Sequence, residues 1–564
     1  MPGAVGLLLV AFSPQVDAPF WAPKAAVSLV VGLSGVAYLV RLVSRVERAA
    51  LALVCFLGVA GVSMLLSDRP LLSLFGPFLF GTGWLFLLAV SGWWAAGRAM
   101  TSLGRARLEL VLMLGGVVET AFAALQRIGV LHSPALAPVE GRYQALLDNP
   151  VYLSGLLLAV VGLTFRRQAG ERSVRAWAVV AYAALMVSLG LGLEYSGERL
   201  GIAAGAGSVI VALLSPALRS ARRRVVLLAL ALAFGVALGN WSLPGGAPSA
   251  SSQLAATSQH NLLYGRVYSW ETAIRATLVR PVAGWGPGRY ETATESRRTL
   301  LLARAEGGDV VFSDAHNLVV EYLTTTGILG LASLLAFLGF AARSSRGPLA
   351  WAAALIFLHL LLEPQSVEMT TLGALCLGGA VPRGPLAAYA PSRALSVGSI
   401  AGAGAGAVLG SCLLAGTALM TPSRPVADLM TATKVLPPWP DVPDAVARRV
   451  YFDNPASARG SPNARQAEHY ALMAAEDDPA SEVPWGVLGD LDAVYGDRTG
   501  AVKAYEHAVS DNPWAAAALS QLVVVTTDTP TRTWACERLR LLGDTPTGCE
   551  APGSASSSAD EFHP

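Results

Sequence analysis

The sequence predicts an all-α fold: a polytopic membrane protein of about 12 transmembrane helices, with a large extracytoplasmic loop and a small extracytoplasmic helical repeat domain. Three observations carry that reading. Of 564 residues, 53% are hydrophobic and 14% charged, where an ordinary soluble chain carries roughly 25% charged residues. Before residue 421, apolar runs recur at about the length that crosses a bilayer as a helix. After residue 443 the apolar runs give way to a polar, helical pattern with a period of 34.

The apolar runs fall at about 25–42, 48–66, 73–96, 108–130, 151–165, 176–194, 199–217, 225–241, 317–341, 348–362, 367–381 and 396–420. Gly6–Phe12 is apolar but too short to span. Arginines orient the set. Alternate connections carry Arg41, Arg45 and Arg48, then Arg98, Arg105 and Arg107, then Arg166, Arg167, Arg172 and Arg175, then Arg219 and Arg222 to Arg224, then Arg343 and Arg346, then Arg383 and Arg393. By the positive-inside rule these face the cytoplasm. The loop at about 242–316 and everything after 421 therefore fall on the outer side of the cytoplasmic membrane. Arg69, Arg142 and Arg199 break the pattern.

Residues 422–443 are rich in proline and polar groups and read as a linker. In 444–550, Trp485, Leu488, Gly489, Gly496, Ala501, Tyr505, Ala508 and Pro513 fall at tetratricopeptide spacing, and 34 residues upstream Ala467, Ala474 and Pro479 keep the same register. So few repeats suit docking a protein partner rather than catalysis. The Ser/Ala-rich tail 551–564 reads as disordered. A net charge of +2 without a dense basic tract argues against nucleic acid. No Cys/His spacing resembles a zinc site. Cys536 and Cys549, on the outer side, are expected to pair.

Four outer patches are polar beyond the needs of a loop. The first is Gly141–Pro150 with Arg142 and Asn149, and the second is Tyr195–Arg199. The third opens a helix with Arg266 and Trp270 and runs on through Pro281 to Gly284-Trp285-Gly286-Pro287-Gly288. The fourth is Ser313-Asp314-Ala315-His316-Asn317, at the mouth of a span holding Gly327 and Gly330. Arg142 and Arg199 can be read as side chains snorkelling to the interface, and the glycine run as a tight turn. Cations kept on the outer face nevertheless call for an anion there. Arginine binds phosphate with two prongs and keeps its charge, and histidine exchanges a proton near neutral pH.

In this order, the four patches resemble the O-antigen ligase family of bacterial membrane glycosyltransferases, which includes polysaccharide polymerases and O-linking oligosaccharyltransferases. The family's Arg…Asn-Pro element matches Arg142 and Asn149-Pro150. Its Ser-Arg element matches Ser196 and Arg199 with Gly197 and Glu198 inserted. Its loop motifs match Arg266…Trp270 and Pro281–Gly288, and its His-Asn with Gly-x2-Gly matches His316-Asn317 with Gly327 and Gly330. The resemblance covers about 20–420. It implies a metal-independent, inverting enzyme that needs no cofactor and uses an undecaprenyl-diphosphate-linked glycan as donor. The acceptor is a lipid, glycan or protein hydroxyl. It assigns His316 as general base, Arg199, Arg266 and Arg142 as diphosphate holders, and Asn317, Asp314 and Trp270 as supporting residues. Asp314 and Glu321 both stand where they can orient His316, and the sequence does not choose between them. Ligation and polymerisation share this donor chemistry. A transporter or an envelope scaffold is the reading from another class. A transporter calls for repeated halves or charges near the bilayer midplane, and the spans show neither pattern.

Overall fold

The computed structural model describes residues 1–131, 133–139, 141–170, 175–242, 249–256, 264–381, 393–453, 460–544 and 548–549. Among these every regular element is a helix, apart from an isolated bridge between Val139 and Arg142. Arg172, Arg383, Pro546 and the tail 551–564 lie outside the described residues. The chain divides into two compact units. The first comprises 1–264, 277–290 and 313–437; the second comprises 265–276, 291–312 and 438–564.

Among the described residues of the first unit, eight helices are long and apolar enough to cross a membrane: Trp21–Val43, Arg48–Leu65, Ser102–Arg127, Pro150–Gln168, Ala176–Tyr195, Leu218–Ser242, Leu318–Ser344 and Arg393–Leu419. The other four apolar runs form shorter helices, Trp84–Ala99, Arg199–Leu214, Pro348–Leu360 and Val367–Gly379. The run 73–96 is not one span. After Pro70–Phe75 the chain turns through Gly76 (φ 77°) and Gly81 (φ 64°) before the helix restarts at Trp84. Left-handed backbone there favours glycine, and hydropathy averaged over a window hides the turn. The short N-terminal run lies within the helix Pro2–Val10.

Helices meet where side chains are small. A Cβ on Gly92 would lie 1.8 Å from the Gly32 carbonyl oxygen, and one on Gly402 would lie 2.2 Å from that of Leu33. Close backbone approach of this kind is how helices associate when no water remains to be expelled. Of these eight helices Pro150–Gln168 is the most enclosed by the others, with 89% of its apolar window buried against 17% for Arg393–Leu419. Its N-terminal end carries the first polar patch directly into the packed centre.

The second unit holds Asp441–Asp453, Pro462–Asp477, Glu482–Val494, Arg498–Asp511, Ala516–Val525 and Thr529–Leu542. Glu482–Val494 lies against Arg498–Asp511, where a Cβ on Gly489 would stand 2.6 Å from the Tyr505 ring. Tyr505 Oη donates to Asp490 at 2.7 Å, and Trp485 stacks on His507 with ring centroids 4.4 Å apart. Ala467, Ala474, Ala501, Tyr505 and Ala508 are buried. The stretch 422–443, expected as a linker, instead contains the helix Val426–Val435 and a buried Trp439. Cys536 and Cys549 form a disulfide.

Residues 291–312 belong to this second unit and are tied into it by polar contacts. Trp514 Nε1 donates to the Arg298 carbonyl at 2.9 Å, Asn512 Nδ2 to the Gly308 carbonyl at 3.0 Å, and the Ala517 N–H to Asp309 at 2.9 Å.

Candidate functional site

The site in the first unit is built around the start of the helix Leu318–Ser344. Asn317 caps it, its side-chain oxygen accepting the N–H of Val319 at 2.9 Å and of Val320 at 3.1 Å. Just before the cap, His316 adopts left-handed backbone (φ 49°), a conformation a non-glycine residue holds only when its surroundings enforce it. Asp314 does the enforcing. Its Oδ1 accepts the His316 N–H at 2.8 Å and lies 2.8 Å from the ring Nδ1. Its Oδ2 accepts the Gln365 N–H at 2.7 Å.

Asp314 is 1% exposed. Burial pulls its carboxyl upward, but the His316 charge, the contacts with His316 and the backbone N–H of Gln365 outweigh burial and leave it below the usual carboxylate range. A carboxylate against Nδ1 favours the tautomer with the proton on Nδ1, which puts the lone pair on Nε2. Glu321 acts on the backbone instead, where its Oε2 accepts the Ala315 N–H at 3.0 Å. Of the two acids able to orient the ring, Asp314 is the one on the imidazole.

Sequence reasoning missed the layer behind this pair. Gln365 Oε1 accepts the Tyr322 hydroxyl at 3.2 Å, and the Gln365 carbonyl accepts the Tyr152 hydroxyl at 3.4 Å. Tyr152 lies three residues after Asn149, so this glutamine joins the first patch to the fourth. Buried Lys24 donates to the Leu146 carbonyl while Glu119 accepts the Leu146 N–H at 2.9 Å, pinning the loop of the first patch from both sides. A lone lysine in an apolar run was the available signal.

The glycine run proves to be a brace. Gly284, Gly286 and Gly288 all have positive φ (72°, 110° and 69°). Beside them the helix Leu318–Ser344 breaks at Gly327 (φ 68°). The backbone groups freed by the break are taken up across the gap. Trp285 N–H donates to the Thr324 carbonyl at 3.2 Å and Gly286 N–H to that of Thr325 at 2.8 Å. Ile328 N–H donates to the Pro281 carbonyl at 2.9 Å, and Ser63 Oγ to the Thr325 carbonyl at 2.8 Å. Broken helices survive in a membrane when neighbours satisfy such groups. Arg280 stacks over Trp285 at 4.2 Å and pairs with Asp68 at 2.8 Å.

The first two patches are also brought together. Tyr143 N–H donates to the Tyr195 carbonyl at 3.2 Å, and Arg142 lies 3.6 Å from Glu198. Glu198 caps the helix Arg199–Leu214, accepting the Leu200 N–H at 3.3 Å, so the inserted Gly197-Glu198 supplies Arg142 with its counter-charge. Arg199 opens that helix and is half-buried. Arg127, which the sequence did not single out, stands over the Tyr195 ring at 5.8 Å. Arg266 and Trp270, both half-buried, belong to the second unit, on the helix Tyr264–Val279.

The apolar helices, with an acid–histidine pair at the mouth of a broken span, define a polytopic membrane protein. Residues 183–335 match the family described as O-antigen ligase. The chain thus carries an O-antigen ligase domain, that of a membrane enzyme of the ligase or polymerase class. The match includes Arg199, Arg266, Trp270, Gly284–Gly288, His316 and Asn317, and leaves Arg142 outside. No curated protein matches the chain.

Proposed function

We propose that the protein transfers a glycan from an undecaprenyl-diphosphate-linked donor to an acceptor hydroxyl at the outer face of the cytoplasmic membrane. The observation that carries this reading is the Asp314 carboxylate held 2.8 Å from His316 Nδ1 within an O-antigen ligase domain. His316 Nε2 takes the proton of the acceptor hydroxyl as its oxygen attacks the anomeric carbon. The bond from that carbon to the diphosphate breaks, and the lipid diphosphate leaves with the electron pair. General-base assistance of this kind is worth roughly 10²–10⁴-fold. Asp314 orients the ring and stabilises the imidazolium that forms. A diphosphate departs as an anion and needs cations rather than a strong acid, a role that falls to Arg199 and Arg266, with Arg142 contributing less because Glu198 shares its charge. Attack opposite the leaving group inverts the anomeric centre.

Ligation is favoured over polymerisation only slightly, since both use the same donor. In the tetratricopeptide-like reading of the second unit, its helical hairpins offer a docking surface for the acceptor or a protein partner. A direct test supplies the full-length protein, in proteoliposomes, with a radiolabelled lipid-diphosphate glycan and follows release of the lipid diphosphate. Acceptor-dependent release with inverted stereochemistry is expected. Transfer with retained configuration, or no use of any lipid-diphosphate donor, would reject the reading.

A further inference from the structure

The helices Ser102–Arg127 and Ala176–Tyr195 leave between them an open groove of about 820 Å³ whose walls are mostly apolar, with Leu114 and Leu185 among them. Its polar residues include Arg167, Arg175, Trp177 and Tyr182. The wall from Arg175 to Ser188 rises about 20 Å at 1.5 Å per residue, somewhat more than the roughly 15 Å depth of one leaflet's hydrocarbon. Arg175 is exposed and forms the N-cap of its helix, whose first turn holds no acidic residue. Arg167 is bridged to Glu109 at 2.5 Å. The acid that balances Arg167 is thus already engaged, and among the described residues lining the groove Arg175 adds a further positive charge at this end. Trp177, close to Arg175, is the residue type that settles at the headgroup level.

We infer that this groove is a binding site for an anionic phospholipid, with its phosphate at Arg175 and one acyl chain along Leu114 and Leu185. Basic pockets between membrane helices recognise lipid headgroups in this way. The lipid is distinct from the lipid-linked donor. Arg167 sits at the far end of the helix Pro150–Gly170 from Tyr152, which touches the Asp314 network through Gln365. Fifteen residues of helix put the two about 22 Å apart, most of a bilayer's hydrocarbon thickness. The site therefore serves the opposite leaflet from the chemistry and does not depend on the glycosyltransferase reading.

The test is native mass spectrometry of the full-length protein released from nanodiscs of phosphatidylglycerol, of phosphatidylcholine, or of phosphatidylcholine doped with undecaprenyl phosphate. Two variants separate charge from shape. Arg175→Glu reverses the headgroup contact, and Ala181→Trp fills the groove from an exposed lining position without altering charge. The wild type should retain one phosphatidylglycerol at least fivefold more than phosphatidylcholine, and each variant should lose that preference. Equal retention of the two phospholipids, loss in only one variant, or stronger retention of undecaprenyl phosphate that the same variants abolish would overturn the assignment.

Discussion

In the proposed mechanism Asp314 is the group on which the chemistry turns, because every hydrogen bond it accepts constrains His316 or the loop behind it. Exchanging it for asparagine keeps the shape but removes the charge, and sets an amide N–H₂ against a donor, either Gln365 N–H or the His316 side. Hydrogen bonds to charged groups are worth about 1.5–3 kcal/mol, so Asp314→Asn should slow transfer at least tenfold while expression and insertion stay normal. A wild-type rate in that variant, measured on reconstituted protein, would leave Asp314 a structural anchor. Arg266→Lys should cost nearly as much as Arg266→Ala, since a point charge cannot replace a two-pronged contact with a diphosphate. Full activity of the lysine variant would reduce Arg266 to a generic surface charge. His316, Asp314 and Asn317 were legible because a dense polar cluster interrupts an apolar pattern. Gln365 and Tyr152 were not, because a single polar residue near a helix end looks like any interfacial residue, and their link to Asp314 crosses 51 positions in one case and runs through a backbone carbonyl in the other.

The broken helix Leu318–Ser344 shows how a turn motif and a membrane span become one element. A Cβ on Gly327 would lie 2.2 Å from the Val282 carbonyl oxygen, in backbone that is already left-handed. Left-handed backbone alone costs an ordinary residue roughly 1–2 kcal/mol, before any clash with the brace. Gly327→Ala should therefore lower the midpoint of thermal unfolding clearly, whereas Gly339→Ala, with open space around its Cβ, should leave it unchanged. Equal midpoints for the two variants, read by fluorescence-detected size exclusion, would show that the break is not a strained junction. Among the described residues hydropathy located the eight long apolar helices and four of the shorter ones, but could not see this break or the turn at Gly76–Gly83. Both depend on backbone partners that a hydropathy window does not register: residues 281–286 in one case, and the return of Gly83 to within 2.1 Å of Gly76 N in the other, measured from the Cβ it lacks.

In the whole chain, the second unit is assembled from two separated stretches, 265–276 and 291–312, together with the C-terminal region. The period of 34 suggested hairpins at Trp485–Pro513, where Glu482–Val494 lies against Arg498–Asp511 through the contact of Gly489 with Tyr505. The partnership with 291–312 is not readable in the sequence, because Trp514 and Asn512 reach backbone carbonyls that carry no sequence signal. That interface buries a cluster of acids. Burial raises the Glu295 carboxyl well above its ordinary value, with Glu291, Glu482, Asp478 and Asp511 adding repulsion. Burial also pushes Glu482 up to about 8 and Asp511 to about 7. The folded unit then holds more protons than the unfolded chain between roughly pH 4.5 and 8, so its stability falls as pH rises through that window. Unfolding of the second unit should come at a higher temperature at pH 6 than at pH 8.5, and Glu295→Gln should flatten the difference. A midpoint that rises with pH would contradict the cluster. Removing 443–564 should expose 291–312 to limited proteolysis and weaken transfer to the natural acceptor. Unaltered cleavage and unaltered transfer together would separate the repeats from the enzyme's work.

The most direct test of the account compares wild type with His316→Ala for the rate of transfer from a purified lipid-diphosphate donor, with donor binding measured in parallel. A loss of about 10²–10⁴-fold in rate with binding nearly intact is the predicted result. A variant that inserts normally and transfers at more than a tenth of the wild-type rate would show that His316 is not the base.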